Sequence, residues 1–190
     1  MEMFVLGLVA RRANVMTGKE SVNRLANDKS DIIQILLDIL SKTGSRYCII
    51  GGLAVNAYVE PVVSLDLDII AASQDVDTIC KTAKKSGLKV EQFEHSVNIT
   101  SESSDLRIQL QTDPRYQSFV LTAQQRDVLG YKMEVARLED VLQGKVWAYT
   151  DKERRRSKRQ KDLADILRII EKYPELEASL PQNLQDEFNR

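Results

Sequence analysis

The sequence is poor in the residues that staple or interrupt small domains, with two cysteines, four prolines, eight glycines, one histidine and one tryptophan in 190 residues. Cys48 falls in an apolar run and Cys80 in a helical pattern, with no C-x-x-C spacing, which excludes a zinc finger or a redox pair and leaves buried, reduced thiols of a cytoplasmic protein as the expectation. His95 has no second His or Cys beside it, so neither a zinc centre nor histidine-based catalysis is expected. No apolar run reaches the roughly 20 residues of a membrane-spanning helix. The run Met3–Ala10 is short, and its Arg11-Arg12 pair follows rather than precedes it, contrary to a secretory signal. No targeting segment and no membrane partner are therefore expected. Neither sign of charge dominates: 27 basic against 28 acidic residues leave any attraction for nucleic acid to local clusters.

What is present is a chain with 43% hydrophobic residues, enough for one good core. Residues 31–42 place Ile32, Ile33, Leu36, Leu37 and Leu40 on one helical face, with Ser30 as the expected cap and Gly44 just past the end. Arg46–Ile50 reads as a strand that stops at Gly51-Gly52, and Leu53–Tyr58 as a helix broken by Pro61. Leu65–Ile70 and Leu106–Gln111 alternate as half-buried strands, and Asp75–Ser86 is helical with Gly87 closing it. Short strands are expected at Leu88–Phe93 and Asn98–Thr100 and a hairpin around Gly130. Helices follow at Leu138–Thr150 and Lys161–Tyr173, and a weaker one lies beyond Pro181. The fold class is α/β (α+β), a mixed β-sheet core flanked by helices, with a helical C-terminal part. The expected organisation is an N-terminal arm of unknown role (1–29), a core (30–136) and a helical region packed on it (137–190).

Chemistry concentrates in two places. Side chains two apart on a strand share a face, so Asp66 and Asp68 project together while Leu65, Leu67 and Ile69 turn to the core. Adjacent carboxylates repel unless a cation neutralises them, and hard oxygen ligands at this spacing suit Mg²⁺, with Mn²⁺ as the alternative ion. Taken alone, D-x-D is more often an acidic strand face. Gly51-Gly52 ends one strand and opens one helix, where backbone N–H groups can receive a phosphate without a side chain in the way. Phosphate cradle followed by carboxylate pair is the order that a metal bridging phosphates requires.

Ile49-Ile50-Gly51-Gly52-Leu53-Ala54-Val55-Asn56-Ala57 followed by Ser64-Leu65-Asp66-Leu67-Asp68-Ile69 resembles the nucleotidyltransferase superfamily with the DNA polymerase β-like fold. Leu138-Glu139-Asp140-Val141 with Lys145, and Lys161-Asp162-Leu163-Ala164-Asp165-Ile166, are similar to motifs of its small AbiEii/AbiGii-like prokaryotic group. The resemblance spans roughly residues 30–172 and implies a nucleotidyltransferase core in which Gly51 and Gly52 bind the triphosphate. It implies Asp66 and Asp68 as metal ligands and catalytic carboxylates, and Lys145 and Asp162 as accessory catalytic residues. It further implies an NTP substrate, an RNA or protein acceptor, and a toxin-like role with an antitoxin partner. A homo-oligomer is a further expectation.

Two departures bear on activity. Gln109 occupies the place where the family carries a third carboxylate, with Asp105 or Asp113 on the same strand face as candidates to replace it. Pro61-Val62-Val63 stands where a basic residue commonly precedes the Asp pair. The function expected is Mg²⁺-dependent transfer of a nucleotidyl group from an NTP to an acceptor hydroxyl. The alternative is a catalytically weakened nucleotide- or partner-binding module of the same fold. Residues 152–161 hold seven basic side chains in ten, a strip that could contact RNA phosphates, although a solvated helix start or a mobile loop is the better explanation. Trp147 and Tyr149, at helical spacing near Lys145, are expected to pack rather than to stack on a base.

Overall fold

The computed structural model describes residues 16–188. In chain order the elements are α1 (Gly18–Leu25), α2 (Ile32–Thr43), β1 (Tyr47–Ile50), α3 (Gly51–Val55), β2 (Asp66–Ala71) and α4 (Val76–Lys85). Then come β3 (Lys89–Gln92), β4 (Ser96–Ser101), β5 (Ser104–Gln111), β6 (Gln124–Val128), β7 (Tyr131–Val135), α5 (Leu138–Thr150), α6 (Arg156–Lys172) and α7 (Gln182–Phe188). The strands form one seven-stranded mixed sheet in the order β3-β4-β5-β2-β1-β7-β6. Its centre is isoleucine-rich: Ile49, Ile69, Ile70, Ile99 and Ile108 are fully buried, as β-branched side chains on a pleated surface favour. Parallel pairing of β2 with β5 and of β1 with β7 puts buried strands at the middle, where helices cover them.

Several boundaries differ from the sequence expectation for identifiable reasons. The cap of α2 is Asp31, not Ser30: Asp31 adopts φ +52° and its carboxylate accepts from the Gln34 N–H at 3.1 Å. The Ser30 hydroxyl is instead engaged with Asp28 and Ser103. The helix after β1 begins at the glycines themselves and is a single short turn ending at Val55. Leu65 is 39% exposed rather than buried, because β2 starts one residue later. The last long helix starts at Arg156 instead of Lys161, so much of the basic strip is helical.

Residues 16–29 of the arm carry a helix that the hydrophobic pattern did not reveal, while Met3–Ala10 lies outside the described residues. Its start is a capping box, Thr17 accepting from the Glu20 N–H at 3.3 Å and Glu20 from the Thr17 N–H at 2.8 Å. Val22 and Ala26 join the core, and the Tyr131 hydroxyl, 2.8 Å from Asp31 Oδ1 and 3.2 Å from Asn23 Oδ1, ties this segment to β7.

The β6–β7 hairpin turns on Leu129 and Gly130, both left-handed (φ +55° and +86°), as a two-residue hairpin of this twist demands. The first residue of α1 rests on that turn: a Cβ at Gly18 would lie 2.7 Å from the Leu129 carbonyl carbon and oxygen. Gly18→Ala should improve helix propensity by up to about 1 kcal/mol, yet the backbone clash is the larger effect. The expected outcome is a lower Tm in thermal unfolding; a higher Tm would show that α1 is not seated on the turn.

Candidate active site

The register of two parallel strands builds the floor of the site. Because β2 pairs with β5, Asp66 lies opposite Arg107 and Asp68 opposite Gln109, all four on one sheet face. Arg107 Nη2 is 2.9 Å from Asp66 Oδ1 and Lys158 Nζ is 3.3 Å from Asp66 Oδ2, so each oxygen of Asp66 already meets a cation. Asp68 differs: among the described residues no hydrogen bond or ion pair reaches its carboxylate. Burial pushes its pKa above the ordinary aspartate range and the neighbouring Asp66 adds to this, against the pull of Lys145, Arg154 and Arg107.

The glycine that opens α3 is dictated by this carboxylate. Gly51 has φ +70°, and a Cβ built on it would fall 2.1 Å from Asp68 Oδ2. Gly52 is not confined in this way, since its nearest neighbour would be Ser64 Oγ at 3.7 Å. The connection from α3 to β2 is held by Asn56, whose amide donates to the Val62 carbonyl at 2.7 Å and accepts from the Val62 N–H at 2.9 Å. Ser64 then donates to the Asp66 carbonyl at 3.1 Å, fixing the entry of the Asp pair.

Behind Asp68, helices α5 and α6 are joined by buried charge. Lys145 Nζ donates to Asp162 Oδ1 at 3.0 Å and lies 2.7 Å from Asp165 Oδ2, the second contact being an ion pair without hydrogen-bond alignment. Burial alone would depress the Lys145 pKa, but Asp165 and Asp162 outweigh it and hold the ammonium charged. Arg154 reaches the other oxygen of Asp162 at 2.7 Å, and Arg168 the other oxygen of Asp165 at 2.8 Å. Removing one partner of such a buried set typically costs about 3–5 kcal/mol, because a charge is left without water or counter-ion.

These elements enclose a cavity of about 300 Å³ lined by Gly52, Ser64, three acids (Asp66, Asp68, Asp162), Gln109 and six cations (Arg107, Lys145, Arg154, Arg155, Lys158, Lys161). Its positive excess comes chiefly from the start of α6. That helix has no acid in its first turn and no side-chain cap, and Arg156, Lys158, Arg159 and Lys161 crowd the end where the helix dipole disfavours cations. Lys158 and Arg159 find partners in Asp66 and the Tyr149 carbonyl, whereas Arg155 and Lys161 have no ion pair among the described residues and face the cavity. Such an arrangement would be stabilised by a polyanion. Because α3 has five residues, these side chains rather than its dipole dominate the attraction. On the far side of Asp68 a smaller hollow of about 110 Å³ continues past Gly51, Gln111, Tyr116, Phe119 and Gly144.

The residues singled out from sequence therefore converge: Gly52, Asp66, Asp68, Lys145 and Asp162 line one cavity, with Gly51 packed beneath Asp68. Gln109 stands directly beside Asp68, and neither proposed replacement for a third carboxylate reaches the site. Asp105 accepts from Asn27 at 2.6 Å at the start of β5, and Asp113 caps the following 3-10 turn and pairs with Arg115 at 2.7 Å. They lie at opposite ends of β5, and neither lines the cavity. Arg107 was missed, since only the strand register brings it to Asp66. Asp165 was missed as a site residue although it follows Asp162 by three on one helix, the spacing that puts two side chains on one face. Trp147 packs against Tyr116 and Phe119, with ring centroids 5.3 and 5.8 Å apart. His95 is exposed in the β3–β4 turn, and Cys48 is buried with its thiol pushed up to about 12.

The sequence matches no family model and no curated protein. Solved structures do match. The antibiotic-resistance factor ANT(2'')-Ia is similar over 83% of this chain and 89% of its own, at 13% identity and a TM-score of 0.57. The lincomycin-bound lincosamide antibiotic adenylyltransferase LnuA covers 75% of this chain and 99% of its own, at 13% identity and a TM-score of 0.53. An antigenic nucleotidyltransferase-like protein from Paracoccidioides brasiliensis covers 73% of each chain, at 19% identity and a TM-score of 0.51. At these identities the likeness is one of fold: the chain has the α/β fold of nucleotidyltransferases.

Two stability predictions arise from this geometry. Gly51→Ala is expected to destabilise by about 1–3 kcal/mol through its left-handed backbone, with the Asp68 clash in addition, while Gly52→Ala should change stability by under about 1 kcal/mol. Urea unfolding of both separates them, and equal effects would contradict the packing of Asp68 on Gly51. For Asp68, a folded-state pKa above the unfolded one means that folding favours the protonated acid. Its contribution is full below about pH 4 and is lost as pH rises through the folded value. Asp68→Asn should accordingly raise Tm at pH 7, with the advantage shrinking towards pH 4. A Tm at pH 7 below that of the unaltered protein would show that the carboxylate is compensated.

Proposed function

We propose that the chain transfers a nucleotidyl group from an NTP to an acceptor hydroxyl, with a divalent ion on Asp66 and Asp68. The observation that carries this is the charge layout of one cavity, an Asp pair with one unpartnered member set among an excess of cations. The Asp pair fits one Mg²⁺, an ion that commonly takes one or two carboxylates and completes its shell with water and substrate phosphates. Mn²⁺ has the same donor preference. When bound, the metal would neutralise the triphosphate and polarise the group in transfer.

The chain's own residues divide the remaining tasks. Arg154, Arg155, Lys158 and Lys161 offer charge to the β- and γ-phosphates, and Gly52 lets the backbone approach them without a Cβ. Asp162 and Asp165 orient Lys145 beneath Asp68, so its charge is fixed before substrate arrives. The acceptor oxygen forms a bond to the α-phosphorus, the bond to the α–β bridging oxygen breaks, and its electron pair leaves on pyrophosphate. The hydroxyl proton passes to water at the open mouth of the cavity. The exposed basic strip Lys152, Arg154, Arg155 and Arg156, of which Arg154 and Arg155 line the cavity, favours a polyanionic acceptor such as RNA over a neutral small molecule. A toxin-like role with an antitoxin partner is carried by the AbiEii/AbiGii-like motif resemblance alone. Among the described residues no helix is long and apolar enough to cross a membrane.

Asp68→Asn is expected to remove transfer from labelled NTP, at least about 100-fold, while the circular dichroism spectrum stays native. Retention of transfer would sink the assignment. Gln109 beside Asp68 favours a second reading, a binding module without turnover. Calorimetry with Mg²⁺ and each NTP discriminates: binding without transfer supports the module, and no binding contradicts both.

A further inference from the structure

Enzymes that use two metals place a cation on both the attacking and the leaving oxygen, and the second ion needs carboxylate oxygens of its own. On β5 the position beside Asp68 is the neutral Gln109, and the described residues contain no group of three or more acidic, His or Cys side chains able to hold a metal. The same strand face carries Arg107 one step earlier. Its Nη2 touches Asp66 Oδ1 at 2.9 Å, its Nε is buried without a hydrogen-bond partner, and its side chain lines the cavity. A neutral residue where an acid is needed and a guanidinium beside it are complementary: one fails to attract a second divalent ion and the other repels it.

We propose that Arg107 takes the place of a second metal, so that the site binds a single divalent ion and the guanidinium supplies the other positive charge to the phosphoryl group. Arginine suits the task because it stays charged at any physiological pH and presents a planar fork to phosphate oxygens. The unpartnered Nε shows that Asp66 does not exhaust the donors of this guanidinium, whose side chain lines the cavity. As the acceptor oxygen bonds to the α-phosphorus and the electron pair of the broken bond departs on pyrophosphate, Arg107 faces the charge gathering on the non-bridging oxygens. The inference rests on the nucleotidyl-transfer reading above.

The test is a count of bound Mn²⁺ per chain by electron paramagnetic resonance, with the α,β-methylene analogue of each ribonucleoside triphosphate in turn. The unaltered protein should bind one ion, Gln109→Asp alone should still bind one because Arg107 remains, and Arg107→Gln combined with Gln109→Asp should bind two. Two ions in the unaltered protein, or in Gln109→Asp alone, overturn the proposal and leave nucleotidyl transfer standing. A folded double variant that still binds one also overturns it, since another group then excludes the second ion. No ion with any analogue overturns the transfer reading itself, and this proposal with it.

Discussion

The ammonium of Lys145, enclosed between Asp162 and Asp165, is the contact on which the rest of the site depends. It joins α5 to α6 through charge, beside the buried aliphatic side chains that the two helices also contribute to the core, and so helps to fix the placement of α6 above the sheet. That placement decides where Arg154, Arg155 and Lys158 stand relative to Asp66 and Asp68. The other end of α6 is secured independently: Lys172 and the Tyr173 hydroxyl donate to the Tyr58 carbonyl, and Arg168 to that of Glu60, just past α3. One helix is therefore anchored behind the carboxylates and above the glycine turn at once.

Much of the local arrangement works against stability. Asp68 is a buried carboxylate that no hydrogen bond or ion pair reaches among the described residues, and α6 begins with cations at the wrong pole of its dipole. Both are unfavourable, and the nucleotide and metal proposed above would offset them together. Concentration of such defects in one cavity, while Ile49, Leu67, Ile69 and Ile108 close-pack below it, is the pattern of a site kept ready for a highly charged ligand.

What could be read from the chain divides along the range of the interactions. The strand–glycine–helix–strand order of residues 46–70 and the helix at Leu138–Thr150 are local, governed by period and by turn residues, and were legible. Convergence of Lys145 and Asp162 on the Asp pair followed only from the family likeness, since nothing local links them. Arg107 needed the β2–β5 register, which no window of sequence contains. The start of α6 was misplaced because Arg155–Lys158 is polar all round and lacks apolar period, and the contact of this turn with Asp66 comes from a strand far away in sequence. The capping box Thr17–Glu20 was the opposite case: a legible signal obscured by the weak apolar stripe behind it.

The two charge sets of the cavity come from far-apart stretches of chain: Lys158 meets Asp66 across 92 positions. Without α6 and the turn that precedes it, the cavity would keep Asp66 and Asp68 against Arg107 and Lys145; with them it gains four cations, Arg154, Arg155, Lys158 and Lys161, and one acid, Asp162. The positive excess of the cavity therefore depends on where the C-terminal helix is placed, far along the chain from the carboxylates it surrounds.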